Sequence, residues 1–240
     1  MPVRTILITG ANQGLGMHTV HQLATTKDVL VFMGSRTFKN AEQALSQFAA
    51  DIHPTSTVVP LQLDIADATS IGNAVEVVKK YLQDKGLTGL DVLINNAASP
   101  APTLPESFAV NVFGTSNFTT AIRPLITSQA GSAILNISSP LGSLGLLAQK
   151  AIPVFPGYNI SKTAMNALTL QWALEEEQKG SGVRVVSIDP GFNQTSLTKD
   201  APGVAGAGHP RDGCKVMVEA ALAREGKSGV FISKDGEVPW

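Results

Sequence analysis

The stretch that decides the fold is Thr9-Gly10-Ala11-Asn12-Gln13-Gly14-Leu15-Gly16, which follows an apolar run and precedes a segment with helical spacing. Glycine has no Cβ atom, so it permits a tight turn from strand to helix and lets a ligand approach the backbone. The helix that begins there offers free N–H groups and a partial positive charge to phosphates. A plain tight turn would also fit the spacing G-x-x-x-G-x-G. Its position between a first strand and a helix favours dinucleotide binding.

Short β-branched runs alternate with helical segments along the rest of the chain. Strands that are apolar on both faces and alternate with helices indicate a parallel sheet covered on both sides. We therefore predict an α/β protein with a three-layer, Rossmann-type doubly wound fold. Residues 1–240 would form a single domain without repeats or linkers. The sheet would have about seven parallel strands, at residues 5–9, 29–33, 57–63, 90–95, 133–138, 183–189 and 229–233.

Composition excludes several classes of function. The formal net charge is −1 and the basic residues are scattered, whereas a nucleic-acid-binding protein needs a basic stripe. Cys214 is the single cysteine, so a reducing compartment is expected. We expect no signal peptide and no membrane helix, which would need about 18 consecutive apolar residues. The sequence therefore predicts a cytoplasmic protein that acts on a small molecule, with no partner membrane, nucleic acid or metal ion.

Two irregular segments, residues 140–157 and 192–210, follow predicted strands. Both therefore leave the carboxyl edge of the sheet, where ligands bind in open α/β folds. We interpret them as substrate loops, and the Gly- and Ala-rich second one as a mobile lid.

The end of the second strand, Ser35-Arg36-Thr37, distinguishes between the two nicotinamide dinucleotides. An acid at this point would bind the ribose 2′-OH of NAD, whereas an arginine accommodates the 2′-phosphate of NADP. No Asp or Glu lies nearby in the sequence, and Arg36 can pair with a phosphate through its planar guanidinium. Ser35 and Thr37 can add hydroxyl hydrogen bonds. A solvated surface arginine is the alternative, but the pattern favours NADP(H) over NAD(H).

Tyr158 and Lys162 are four residues apart at the start of a helical segment, so they share one helix face. A phenol is a weak acid, with a pKa near 10. We expect the neighbouring ammonium to lower that pKa and so help the phenol to protonate a carbonyl oxygen. The spacing alone is not specific, because Tyr81 and Lys85 share it. We interpret that second pair as a solvated helix face.

A serine at the end of the fifth predicted strand supplies context for Tyr158. The strand ends Asn136-Ile137-Ser138-Ser139, which delivers a hydroxyl to the carboxyl edge of the sheet. A hydroxyl there can hydrogen-bond a substrate oxygen and stabilise charge that develops on it. We assign this role to Ser139 and a structural one to Ser138.

These motifs together resemble the short-chain dehydrogenase/reductase superfamily over nearly the whole chain. Further matches are Leu63-Asp64, Asn95-Asn96-Ala97-Ala98, Asn111 and Pro190-Gly191 with Thr195. Within the superfamily, residues 111–115 and the ending Asp235-Gly236-Glu237-Val238-Pro239-Trp240 look like the carbonyl-reductase-like branch.

The resemblance implies a role for each matching residue. Tyr158 would be the general acid, Lys162 would hold the nicotinamide ribose, Ser139 would orient the substrate, and Asn111 would anchor a water in a proton relay. Alone, several of these positions could equally be caps or turns. The implied cofactor-binding residues are Gly10, Asn12, Gln13, Gly14, Leu15, Gly16, Ser35, Arg36, Thr37, Asp64, Ile65, Asn95, Ala97, Tyr158, Lys162, Pro190, Gly191, Asn193 and Thr195.

The chain departs from the family pattern in several places. Gln13 replaces a basic residue frequent in NADP-preferring members, and Ala98 replaces a usual glycine. Asn193 replaces a Val or Ile that acts mainly through its backbone. The interval 96–111 is short, which predicts a trimmed helix, and the interval 139–158 is long, as if a pocket loop were inserted.

The resemblance implies an NADPH-dependent reductase that transfers a hydride to a ketone or aldehyde, or the reverse alcohol oxidation. The pocket candidates are apolar apart from Lys150, which favours an apolar substrate. Alternatives are imine reduction, a nonenzymatic NADP-binding regulator and a sugar-nucleotide epimerase; the intact Tyr–Lys pair and the short C-terminal part argue against the last two. A monomer, a dimer or a tetramer would each suit the family. The pocket candidates are Pro140, Leu141, Leu144, Leu147, Ile152, Val154, Phe155, Phe192 and Leu197, with Ser139 at the reacting centre.

Overall fold

The computed structural model describes residues 3–101, 103–149, 155–201 and 203–240. Its strands are β1 (Arg4–Ile8), β2 (Val29–Ser35), β3 (Thr57–Gln62), β4 (Val92–Asn95), β5 (Ala133–Ile137), β6 (Arg184–Ile188), β7 (Val230–Ser233) and β8 (Gly236–Glu237). Its helices are α1 (Gly14–Ala24), α2 (Phe38–Ser46), α3 (Ala68–Asp84), α4 (Leu104–Phe108), α5 (Thr115–Ile122), α6 (Leu144–Leu147), α7 (Pro156–Lys179), α8 (Pro210–Gly213) and α9 (Lys215–Leu222).

The strands form one sheet in the order β3-β2-β1-β4-β5-β6-β7-β8. All neighbouring pairs from β3 to β7 are parallel, so the predicted doubly wound α/β fold is confirmed. The direction of winding reverses between β1 and β4, and the crevice at that switch point lies at the carboxyl edge of the sheet.

Each face of the sheet has its own apolar core. Along β1, Ile6 and Ile8 belong to one buried cluster and Leu7 belongs to the other, as the alternation of side chains in a strand requires. The first cluster includes residues of α1, α2 and α9, and the second includes residues of α3, α5 and α7. Helices therefore cover both faces, which gives the predicted three layers.

The two-residue strand β8 was not predicted. It pairs antiparallel with β7, where Ile232 is opposite Glu237 and Ser233 is opposite Gly236. Gly236 has a φ of +115°, which a glycine adopts readily. A strand this short has no β-branched run, so periodicity does not reveal it.

The segment before β5 is irregular in a way that fits its shortened sequence. Its first helix, α4, has only five residues. A π-helical turn over Ala109–Gly114 follows α4 and leads into α5. A Cβ atom at Gly114 would lie 2.7 Å from the Ile65 carbonyl oxygen. The π-helical turn therefore packs closely on the segment that follows β3.

The two predicted substrate loops contain little regular structure. Residues 140–149 hold a 3₁₀ turn, Pro140–Gly142, and α6. Residues 150–154, including the pocket candidates Ile152 and Val154 and the neighbouring Lys150, lie outside the described residues. Residues 192–209 hold a 3₁₀ turn, Val204–Gly206, and an isolated bridge between Asn193 and Gly208. In the described part of the chain, no helix is long and apolar enough to cross a bilayer.

A substitution at Gly10 tests the backbone constraint on the first turn. Gly10 has a φ of +60°, and a Cβ atom there would lie 2.8 Å from Ala97 Cα. We expect Gly10→Ala to lower the free energy of unfolding by at least ~1–2 kcal/mol, measured by urea denaturation, because alanine is strained at positive φ.

Gly72→Ala is the matched control. Gly72 lies inside α3, where a Cβ atom would meet nothing within 4 Å. We expect this change to raise the free energy of unfolding by up to ~1 kcal/mol, because alanine favours helix. Equal effects of the two substitutions would contradict the assigned constraint.

Candidate active site

The glycine turn is held in place by the end of β4. Asn96 Nδ2 donates to the carbonyl oxygens of Thr9 and Gly10, each at 2.9 Å. Thr9 Oγ1 accepts from the backbone N–H groups of Asn96 and Ala97, at 3.0 and 2.9 Å. A Cβ atom at Gly16 would lie 2.6 Å from Asn96 Nδ2, so only glycine fits there. Thr9 and Asn96 belong to motifs that are visible in the sequence, but the motifs alone predict no role for either side chain.

The start of α1 suits a pyrophosphate. Gln13 is the N-cap residue and its side chain accepts no capping hydrogen bond from the described residues. The first turn of α1 contains no acidic side chain. The N–H groups of this turn and the positive end of the helix dipole are therefore available to an anion. This is the arrangement that the glycine motif predicts.

The end of β2 presents hydroxyl and guanidinium groups. Ser35 is buried, and within the described residues its Oγ has no hydrogen-bond partner. Arg36 is exposed. Thr37 caps α2, because its Oγ1 accepts from Asn40 N at 3.4 Å. An unsatisfied buried hydroxyl beside an exposed arginine fits a ribose phosphate.

Asp64 and Asn95 both have structural hydrogen bonds. Asp64 Oδ1 accepts from Ala66 N at 2.9 Å and shapes the turn before α3. Asn95 Nδ2 donates to Thr119 Oγ1 at 2.9 Å and to Asn136 Oδ1 at 2.8 Å. The amide of Asn95 is thus held in the core beneath the edge of the sheet.

Ser139, Tyr158 and Lys162 come together where β5 meets the start of α7. The Ser139 hydroxyl lies near enough to the Tyr158 phenol to lower its pKa. Lys162 is 3% exposed, and its Nζ donates to Ile137 O at 2.7 Å and lies 5.6 Å from the centroid of the Tyr158 ring. By contrast Ser138 is buried, and its Oγ has no partner among the described residues. Of the two serines, it is Ser139 that contacts the tyrosine.

The acidity of Tyr158 differs from the sequence prediction. Burial raises the pKa of Tyr158 above its ordinary value, the Asp189 carboxylate raises it further, and the Ser139 hydrogen bond lowers it. Burial also lowers the pKa of Lys162 to about 8, which weakens the charge expected to stabilise a phenolate. The predicted lowering of the tyrosine pKa is wrong, because burial and the Asp189 carboxylate outweigh the effect of Ser139. The phenol therefore keeps its proton at neutral pH.

Asn111 lies in the π-helical turn, and its side chain is fully buried. Its Oδ1 accepts from Ser99 N at 2.7 Å, and its Nδ2 donates to Ser99 O at 3.0 Å and to Ser161 Oγ at 2.9 Å. The side chain thereby links the segment after β4 to α7, one residue from Lys162. Both amide protons are used in these bonds.

Asn193 holds the turn after β6 through its side chain. Its Nδ2 donates to Pro190 O at 2.9 Å and to Gly191 O at 2.8 Å. A Cβ atom at Gly213 would lie 2.2 Å from Asn193 Oδ1, so the amide fills the space that this glycine leaves. The side chain of Asn193 therefore stabilises the turn, and the expected role of its backbone in cofactor binding stays a prediction.

Thr195 lies beside the glycine turn. A Cβ atom at Gly14 would come 3.3 Å from Thr195 Cγ2. A cavity of about 540 Å³ opens between these residues. Its described lining is Gln13, Gly14, His18, Gln194, Thr195, Ser196, Lys199, Val204, Ala205 and Pro210.

The predicted substrate-pocket residues lie on separate segments at the same edge of the sheet. Leu141 is half-buried, whereas Phe155 and Phe192 are 41% and 47% exposed. None of the three lines the cavity beside Gly14. Phe155 precedes α7 with a φ of +56°, an uncommon conformation for an aromatic residue.

The second tyrosine–lysine pair lies at the end of α3, where Lys85 is exposed, as expected of a solvated face, and Tyr81 is not fully solvated. Tyr81 is half-buried and packs edge-on against Phe32, with ring centroids 5.4 Å apart. Lys85 Nζ lies 5.8 Å from the Tyr81 ring, nearly the same separation as in the first pair. Contact with Ser139, rather than the spacing of tyrosine and lysine, therefore distinguishes Tyr158.

Comparisons with known proteins agree with this arrangement. The family model for short chain dehydrogenases matches residues 4–203. Short-chain dehydrogenase anuI of Penicillium roqueforti is 32% identical over 233 residues, which cover 90% of this chain and 87% of that protein. The NADP-dependent 3-hydroxy acid dehydrogenase of Schizosaccharomyces pombe is 28% identical and covers 81% of this chain and 73% of its own length. The NADPH-bound carbonyl reductase from chicken fatty liver superposes with a TM-score of 0.81 at 25% identity, over 100% of both chains.

The fold, the glycine turn and the Ser–Tyr–Lys cluster define a nicotinamide-dependent oxidoreductase. The chain belongs to the short-chain dehydrogenase/reductase superfamily, as a carbonyl-reductase-like member.

A titration tests the environment of Tyr158. The chain has two tyrosines, so Tyr81→Phe leaves Tyr158 as the single phenol. We expect the ultraviolet phenolate band of this variant to appear only above the ordinary pKa of about 10, because burial and Asp189 favour the protonated form. Adding Asp189→Asn should lower the midpoint. A midpoint below about 10 in the first variant would contradict the account.

Proposed function

We propose that this protein is an NADPH-dependent carbonyl reductase that reduces a ketone or aldehyde of an apolar small molecule, or oxidises the corresponding alcohol. The observation that carries the proposal is the placement of a protonated Tyr158 near Ser139 and 5.6 Å, from ring centroid to Nζ, from the buried Lys162. Reduction of a carbonyl requires a proton donor at its oxygen, and these residues supply one at the carboxyl edge of the sheet.

Each residue of the cluster has a separate part in the reduction. The bound cofactor supplies a hydride to the carbonyl carbon. Tyr158 gives its phenolic proton to the carbonyl oxygen as negative charge develops there, so that an alcohol forms. The hydroxyl of Ser139 orients that oxygen and stabilises its charge. Lys162 has ammonium protons beyond the one bonded to Ile137 O, and we assign them to the nicotinamide ribose.

Asn111 would act by positioning α7 in this scheme. Its side chain is bonded to Ser99 and Ser161, so the anchoring of a relay water falls to its backbone carbonyl. The turn at Pro190, Gly191 and Thr195 would hold the nicotinamide carboxamide, with Asn193 keeping the turn rigid.

Preference for NADPH over NADH rests on the end of β2. The unpartnered Ser35 hydroxyl and the exposed Arg36 suit a 2′-phosphate, and no acidic residue lies in that stretch to repel it. The NADP-dependent relative and the NADPH-bound structural neighbour support the same choice. Gln13 in place of a basic residue argues for an incomplete preference.

An apolar substrate is supported by the side chains around the proposed reacting groups. Leu144 follows β5, Phe155 precedes α7 and Phe192 follows β6. Each of these side chains is at least 41% exposed. Exposed apolar side chains at a ligand-binding edge commonly mark a binding surface. We also propose that residues 1–240 act as one domain, in the cytoplasm, where the single Cys214 stays reduced.

Removal of one hydroxyl tests the assignment of the acid. We expect Tyr158→Phe to lower kcat for an apolar ketone by at least about a thousandfold, because among the residues that the structure describes we assign the proton donor to Tyr158 alone. Affinity for NADPH, measured by calorimetry, should stay within about threefold. Tyr81→Phe, the same change in the pair on α3, should leave kcat unaltered. Full activity of Tyr158→Phe would overturn the proposal.

A charge reversal tests the cofactor preference. We expect Arg36→Asp to lower kcat/KM for NADPH by at least about a hundredfold, because the carboxylate repels the 2′-phosphate. Use of NADH should stay constant or improve. The matched control is Lys39→Asp. Lys39 is exposed and lies in the first turn of α2, three residues after Arg36. If both substitutions act alike, overall charge rather than Arg36 determines the preference.

A further inference from the structure

Residues 238–240 directly follow β8 and are anchored on β7. Val238 N donates to Phe231 O at 2.8 Å, which adds one hydrogen bond beyond the β7–β8 pair. The indole of Trp240 stacks on the Phe231 ring, with centroids 5.8 Å apart and planes inclined by 28°. Phe231 is buried, so this stack joins the segment to the core of the protein.

Two carbonyl groups of this segment accept hydrogen bonds from the chain that follows Ser139. Ser143 Oγ donates to Pro239 O at 2.6 Å, and Gly145 N donates to Trp240 O at 2.7 Å. Ser143 Oγ also accepts from Leu146 N at 3.0 Å, so one buried hydroxyl both caps α6 and binds residue 239. A Cβ atom at Gly145 would lie 3.1 Å from Trp240 O, so the two segments are in close contact.

The same stretch is fixed on its other side by α7. A Cβ atom at Gly142 would lie 2.7 Å from the carbonyl carbon of Lys162, and Asn166 Nδ2 donates to Gly142 O at 3.1 Å. Residues 139–142 are therefore held against the helix that carries Tyr158 and Lys162. Residues 143–145 are held by the segment 238–240. Between them, these contacts define the path of the chain from the proposed reacting serine into the proposed substrate loop.

We propose that Trp240 is a positioning residue for the carbonyl substrate. By anchoring residues 238–240 on Phe231, it holds Ser143 and Gly145 and so fixes α6, which follows the reacting Ser139 in the chain and whose Leu144 is 63% exposed. Trp240 acts through these backbone contacts, so its removal changes the fit of the substrate more than the chemical step. This inference rests on the proposed reductase function and adds to it a determinant of substrate binding.

Steady-state kinetics with NADPH and an apolar ketone separate this role from a general loss of stability. We expect Trp240→Ala to raise KM about tenfold and to change kcat by less than about threefold, because binding rather than chemistry is affected. Trp240→Phe keeps an aromatic ring over Phe231 and should restore most of the affinity. The dissociation constant of NADPH, measured by calorimetry, should not change. An unaltered KM in Trp240→Ala, or a parallel loss of NADPH affinity, would overturn the inference.

The stacked pair His21–Phe48 supplies a matched control. Its rings are 4.8 Å apart at an interplanar angle of 21°, and it joins α1 to the segment after α2. His21→Ala removes this stack and should leave KM for the ketone unchanged. A rise in KM equal to that of Trp240→Ala would mean that loss of any such stack loosens the substrate site, and would overturn the specific role of Trp240.

Hydrogen–deuterium exchange provides a readout that does not depend on activity. In Trp240→Ala we expect amides in residues 143–149 to exchange at least about tenfold faster. The backbone carbonyl of residue 240, which accepts from the Gly145 amide, is kept in this variant but is no longer held in place by the stack on Phe231. Amides of α3 should exchange at the wild-type rate. Unchanged exchange at 143–149 would overturn the inference whatever the kinetics show. If the wild-type protein reduces no carbonyl compound but the exchange rises, the proposed function is wrong and the anchoring is supported.

Discussion

A half-buried phenol beside a buried ammonium is the constraint on which the site depends. Hydration of the phenolate form of Tyr158 is reduced at the start of α7, so the neutral phenol is favoured, and the carboxylate of Asp189 adds to this effect. Lys162 loses hydration as well, and its pKa falls towards 8. The nearby Ser139 hydroxyl acts in the opposite direction and lowers the pKa of the phenol. A proton donor held in this way is suited to completing a reduction, whereas a free phenolate would be suited to the reverse oxidation.

The fold supports this cluster from several directions. β5 delivers Ser139, α7 delivers Tyr158 and Lys162, and Asn111 connects α7 to the end of β4. The hydrogen bonds from Asn96 to Thr9 and Gly10 link the end of β4 to the glycine turn. The glycine turn and the start of α7 are therefore both connected to the end of β4. A change at β4 therefore affects both the dinucleotide turn and the helix that carries the reacting groups.

The sequence indicated the parts of the molecule that depend on local pattern. The glycine turn and the seven parallel strands follow from spacing and alternation, and the structure contains both. The roles of Ser139, Tyr158 and Lys162 follow from the family resemblance and stay predictions. The direction of the Tyr158 pKa was wrong because it depends on burial, which spacing does not report. The contacts of the Asn193 side chain with Gly213 and of the Tyr81 ring with Phe32 were not predicted, since each depends on a partner distant in sequence. Strand β8 and the contacts of residues 238–240 with Ser143 and Gly145 likewise arise only from tertiary packing.

The most direct test of the central claim follows the hydride into the product. Wild-type protein would be supplied with NADPH deuterated at the hydride-donating carbon and with an apolar ketone, and the alcohol would be analysed by mass spectrometry. If the reduction is stereospecific, the carbinol carbon gains one deuterium when the label occupies the one of the two hydrogen positions of that carbon from which hydride is transferred. The hydroxyl proton of the alcohol should come from solvent through Tyr158. Alcohol without deuterium from either labelled face, or no alcohol from any ketone despite tight binding of NADPH, would contradict the account.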